Sequence, residues 1–185
     1  NNWQCALSEA AFMTGLERNA DVVVMSSYAP LFAHEDRWQW RPDLIWCDNL
    51  TSYGTPNYYV QQLFSRHRGD LVLPVEATGL APATSQQPGL YLTASRAIRS
   101  GDIILKVVNS AAQPIASDIR IEGVKEVSRR ATAIVLTAKQ LTDENSIAEP
   151  KKVAPVTSSL QDAGKAFRHS FAPYSLTVLR LKARD

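Results

Sequence analysis

From Gln4 to Arg18 the apolar side chains Leu7, Ala10, Ala11, Met13 and Leu16 recur every third or fourth position, with Ser8, Glu9 and Arg18 as polar positions. That spacing predicts a helix with one buried face, and Asn19 is a fitting stop. The pattern then changes to a continuous apolar run, Asp-Val-Val-Val-Met over residues 21–25. A β-branched run of this kind predicts a strand covered on both faces, as in a parallel sheet. A helix followed at once by such a strand is the α-to-β step of an α/β fold. Residues 33–57 are irregular and rich in Pro, Asp, Asn and Trp. Thr55 as N-cap and Pro56 at the first helical position then open a second helix, which Gly69 ends.

Near residue 70 the period shortens. "LVLPVE", "GLYLTAS", "GDIILKVVN", "SDIRIEG", "ATAIVLTA" and "YSLTVLRLK" read as six short strands separated by turn residues. In the fourth, Ile119 and Ile121 alternate with Asp118 and Arg120, the mark of a half-buried antiparallel strand. Six strands without intervening helices predict a β-sandwich. Residues 81–89 read as a polar, Pro-containing loop and residues 142–165 as a long connection. The boundary predicted from this change of character separates residues 1–68 from residues 69–185.

Composition narrows the functions available. Apolar residues make up 45% of the 185 and charged residues 21%, which provides for a packed core and excludes a disordered chain. The formal net charge is +2, and the only tight basic cluster is Arg129-Arg130, read as a solvated strand end. This leaves no electrostatic argument for DNA, RNA or a membrane as partner. No apolar run approaches the ~20 residues of a membrane span. The chain does not begin with Met, and no signal peptide is visible; the start reads as mature, truncated or internally cut. Cys5 and Cys47 have no metal-ligand spacing and are expected to be two buried free thiols rather than a bridge.

The candidate chemistry is sparse. Glu9 and Glu17 lie eight residues apart on one helix, which separates them by about 12 Å along its axis. Paired glycosidase carboxylates sit about 5–9.5 Å apart, and barrel catalysts come from strand ends. The two glutamates are therefore expected to be structural, Glu17 as an ion-pair partner of Arg18 or another base. His34, His67 and His169 fall in no ligand motif, so no metal is expected. Ser26-Ser27 lacks a glycine-flanked nucleophile elbow, and there is no phosphate-binding glycine loop. Trp38, Trp40, Trp46 and Tyr53 form an aromatic-rich loop of the kind that stacks on sugars. Trp46, beside Leu44 and Ile45, reads as packing; for Trp38 and Trp40 packing and sugar contact are both open.

Five blocks carry a resemblance: "ALSEAAFMTGLERNADVVVMSSYAPLF", "WRPDLIWCDN", "YGTPNYYVQQLFS", "ENSIAEPKKVAPV" and "FAPYSLTVLRLK". In this order they resemble the C-terminal part of the α-L-arabinofuranosidases of glycoside hydrolase family 51, along nearly the whole chain. Cys47 stands where an aromatic residue is expected. The resemblance implies a mainly β chain, with a jelly-roll-like antiparallel β-sandwich over 69–185. Before it, residues 1–68 are the last helix–strand–helix portion of a (β/α)₈ barrel, with Val22–Tyr28 as the eighth strand. It implies a parent glycoside hydrolase that releases terminal arabinofuranosyl groups from arabinan or arabinoxylan with retention of configuration, needs no cofactor, and is secreted or periplasmic. Both catalytic glutamates of the family match nothing in this chain, so no catalytic residue is carried over. Ser27, Tyr28, Pro30, Trp38 and Trp40 are the expected substrate-binding residues at the barrel mouth. The implied partners are an arabinofuranosyl poly- or oligosaccharide, the N-terminal catalytic portion of the same protein and further copies of it. The rival reading is a non-catalytic carbohydrate-binding or structural sandwich.

Overall fold

The computed structural model describes residues 1–79 and 89–185. Apart from Gly89, the loop expected over 81–89 lies outside the described residues. Helix α1 runs from Trp3 to Arg18. The Asn2 side chain caps it by accepting from the Cys5 amide at 3.1 Å, and Arg18 sits in its last turn, where a cation complements the helix dipole. Helix α2 spans Pro56–Arg66 with Thr55 as N-cap and Pro56 in the first turn, as the sequence predicts.

All six expected strands form: β4 (Leu71–Leu73), β5 (Leu90–Arg96), β6 (Ile103–Asn109), β7 (Ile115–Arg120), β9 (Ala131–Thr137) and β12 (Ser175–Leu181). Five of them, with β10 (Val156–Leu160), make a six-stranded antiparallel sheet in the order β10-β9-β12-β6-β5-β4. The sixth, β7, pairs instead with β11 (Ala166–Phe171), and β8 (Glu126–Val127) with β13 (Ala183–Arg184). Strand β10 falls inside the expected connection over 142–165, a correction to that reading. Its sequence, VTSSL, is exposed at four of five positions, so no apolar alternation announces it, as befits an edge strand.

The central strands are apolar on both faces because both are covered. From β12, Leu176 and Val178 join Ile104, Val108 and Ile134 under Trp3, Ala6, Ala10, Val60 and Phe64 of the two helices. The alternate residues Leu179 and Leu181 turn the other way, with Ile103, Val107 and Ala133, to meet Phe167 and Phe171 of β11 and Val127 of β8. The result is three layers: helices, the six-stranded sheet, and two short ribbons completing the sandwich. The N-terminus of α1 is tied down by the Trp3 indole donating to the Tyr174 carbonyl at 2.8 Å and by the Trp3 amide donating to the Asp143 carbonyl at 2.8 Å.

Two expectations are corrected. Residues 21–30 form no strand, and Val22, Val24 and Met25 are 74%, 93% and 84% exposed. A buried parallel strand takes its backbone hydrogen bonds from neighbours on both sides, and no described residue supplies them here. The two thiols are free but not buried: Cys5 is exposed on α1 and Cys47 half-buried. The irregular stretch that follows does carry local structure, a small sheet of β1 (Phe32–His34), β2 (Ile45–Cys47) and β3 (Ser52–Gly54) in the order β1-β2-β3.

Candidate functional site

The small sheet organises the aromatic loop. Ala33, Trp46 and Tyr53 stand in register on β1, β2 and β3 and form one buried cluster against Ile147. Trp46 is thus packing, as its neighbours Leu44 and Ile45 imply. Trp38, in the loop between β1 and β2, meets its edge at 6.1 Å between centroids and 67° between planes. The Arg41 guanidinium lies over both rings, 5.2 Å from the Trp38 centroid and 4.9 Å from that of Trp46. Such contacts hold a loop indole in one orientation. Trp38 keeps 48% of its surface exposed and Trp40 68%. Arg41 escaped the sequence analysis; its place next to a run of tryptophans is the signal that points to it.

Ser27, Tyr28 and Pro30 lie on the extended segment leading into β1. That segment is laid beside β2 by the Leu44 amide donating to the Pro30 carbonyl at 3.3 Å and the Ile45 amide donating to the Leu31 carbonyl at 2.9 Å. Ser27 is exposed and Pro30 half-buried. The Tyr28 hydroxyl accepts from the Asn1 side-chain amide at 2.9 Å. Its burial pushes the phenol pKa up; the Asn1 bond opposes this, and the charges of Glu9 and Asp43 add to it. On the far side of the loop the Tyr53 hydroxyl donates to Glu35 Oε1 at 2.9 Å, and burial first, then Glu35, raises its pKa strongly.

The two glutamates of α1 serve different neighbours. Glu9 accepts from the side-chain amides of Asn57 and Gln61 on α2, and burial pushes its pKa up against those two bonds. Glu17 pairs with Lys106 of β6 rather than with Arg18. Arg18 instead donates to the Leu92 carbonyl at 2.6 Å. Nearby, Asp43 is buried with Oδ2 unpartnered, and so is Asn57 with Oδ1. Among the described residues no three His, Cys, Asp or Glu side chains converge as a metal site would require. None of their helices is long and apolar enough to cross a membrane. Exposed indole faces such as those of Trp38 and Trp40 are of the kind that stacks on a sugar ring.

Comparison with known proteins fits this picture. Residues 1–175 match the family model for the α-L-arabinofuranosidase C-terminal domain. The chain is 33% identical to α-L-arabinofuranosidase 1 of Arabidopsis thaliana over 97% of its length, which is 27% of that protein. It is 62% identical, over 42% of its length and 10% of the relative's, to an extracellular exo-α-L-arabinofuranosidase of Streptomyces chartreusis. An arabinose-bound family 51 α-L-arabinofuranosidase superposes with a TM-score of 0.89 at 32% identity, over 99% of this chain and 28% of that one. A Thermotoga maritima α-L-arabinofuranosidase has the same fold, with a TM-score of 0.80 at 19% identity over 97% of this chain and 38% of that one. The chain spans about a quarter or less of the curated relatives it matches first. It belongs to the α-L-arabinofuranosidase C-terminal domain family.

Proposed function

We propose that this chain is the C-terminal segment of a retaining α-L-arabinofuranosidase that releases terminal arabinofuranosyl groups from arabinan- or arabinoxylan-type polysaccharides. The catalytic carboxylates belong to an N-terminal portion of the same protein, secreted with it. In this reading residues 1–68 complete a (β/α)₈ barrel and residues 69–185 form its sandwich. The observation that carries the reading is the exposed apolar segment with Val22, Val24, Met25, Leu31 and Phe32. Apolar surface of this extent calls for a covering partner, and strands of the missing barrel are the cover that suits an extended β-branched segment. The same segment runs past Ser27, Tyr28 and Pro30 into the loop with Trp38 and Trp40. These five residues line the sugar pocket or its rim, the indoles by stacking. Assembly into a homo-oligomer is part of the same proposal, read from the mass of the protein in solution.

The test compares the protein with and without its N-terminal portion on an aryl α-L-arabinofuranoside. The whole protein turns the substrate over and this chain alone does not. Trp40→Ala in the whole protein raises KM for arabino-oligosaccharides roughly several-fold, the scale of one aromatic contact of ~1 kcal/mol. Turnover by this chain alone, lost on mutating one of its own residues, refutes the division of labour. Binding of arabino-oligosaccharides by this chain without any turnover in the whole protein favours the carbohydrate-binding module.

A further inference from the structure

The strand end at Arg129-Arg130 is not isolated in the fold. The β8–β13 ribbon is fixed by the Ser128 amide donating to the Lys182 carbonyl and the Lys125 amide donating to the Arg184 carbonyl, both at 2.9 Å. This brings the basic C-terminal stretch alongside the arginine pair. Two open clefts of about 270 and 570 Å³ result, joined through Asp102, Ser128 and Lys182, which line both. Arg129, Arg130, Arg180, Lys182 and Arg184 border them, against Asp102 and Glu126 as the acidic residues. That local excess of three positive charges exceeds the formal +2 of the whole chain. Among the described residues only Arg180 is neutralised, held by Asp102 at 2.7 Å. Among the described residues the other four cations form no ion pair.

We propose that this double cleft binds a uronate-bearing glycan, a polysaccharide whose sugars carry free carboxylates. Arginine forks and a lysine suit carboxylates, and Ser100, Ser128, Thr132 and Ser159 line the same clefts as partners for sugar hydroxyls. Among the described residues no aromatic side chain lines either cleft. The stacking platform that single-stranded nucleic acid or a neutral sugar uses is thus missing. The cleft residues are distinct from Trp38 and Trp40, so the two sites are separable by mutation. The inference rests on the glycan reading above only for the kind of polymer.

The test uses the full-length protein and galacturonate oligomers as probe, with binding followed by titration calorimetry at low salt. Expected are binding to the free-acid oligomer, little to its methyl ester, and loss of affinity as salt rises. Arg130→Ala with Lys182→Ala weakens binding roughly tenfold, the scale of two exposed charge-assisted contacts, and leaves turnover of an aryl arabinofuranoside unchanged. No binding of the free acid, equal binding of the ester, or unaltered affinity in the double variant overturns the proposal. So does equal competition by inorganic phosphate or a single-stranded oligonucleotide, which would make the cleft a general anion site. Turnover and galacturonate binding are separate readouts, so failure of the activity assigned above is distinguishable from failure of this site.

Discussion

Lys106 offers the sharpest test of the energetics. It sits mid-strand on β6 with none of its side chain exposed, on the sheet face turned to the helices. Its ammonium meets the Glu17 carboxylate and lies 5.0 Å from the centre of the Phe64 ring. Burial pushes its pKa below the ordinary 10.5, opposed by Glu17. Glu17→Gln removes the counter-charge and leaves the cation with an amide oxygen and an aromatic face. Breaking a buried pair from one side costs about 3–5 kcal/mol. An independent ceiling comes from deprotonation: holding a lysine neutral at about pH 7 against an ordinary pKa of 10.5 costs ~5 kcal/mol. The two figures agree, so urea unfolding of Glu17→Gln, followed by tryptophan fluorescence, is expected to lose ~3–5 kcal/mol. Glu17→Leu combined with Lys106→Met removes both charges and fills the space, and is expected to be near neutral or more stable. The sign with pH follows from the depressed pKa: between the lowered folded-state value and 10.5 the unfolded chain binds more protons than the folded one, so stability rises with pH across that window and is flat well below it. A loss below ~1 kcal/mol in the single variant, the level of a surface pair, or a double variant no better than the single, refutes the reasoning.

Acid should act through two histidines. Burial lowers the pKa of His67, with the charges of Arg180, Lys106 and Arg66 adding to it, and burial alone lowers that of His169. Below 6.5 the unfolded chain takes up protons that the fold refuses, so thermal stability falls as the pH drops through that value. His67→Gln should flatten the slope, and an unchanged slope would show that His67 does not contribute. Asn145 is buried, donates to the carbonyls of Gly54 at 2.9 Å and Val153 at 3.0 Å, and accepts from the Val153 amide at 2.7 Å. Asn145→Ala leaves those groups unpaired at ~1–3 kcal/mol each, and chemical denaturation should show a loss of about 2 kcal/mol or more.

Much of this protein is set by local pattern. The 3.6-residue spacing and the caps Asn2, Thr55 and Pro56 determine both helices within a residue or two, because these are short-range effects that any context preserves. Alternation determines the six recognised strands; β10 escapes because an exposed edge strand needs no apolar face. The geometric separation of Glu9 from Glu17 is likewise a property of one helix. Three features depend on what lies elsewhere in the chain. The run at residues 21–25 has the composition of a buried strand, yet a strand exists only where neighbours accept its backbone hydrogen bonds, and it stays unpaired by any strand and largely exposed. Lys106 reads as one polar residue in an apolar strand; only the packing of α1 and α2 on that face turns it into a buried ion pair. Arg129 and Arg130 are a short basic pair in sequence and one side of a charged double cleft in the fold. There the pairing of β8 with β13 joins residues more than fifty positions apart, a juxtaposition that no local periodicity encodes.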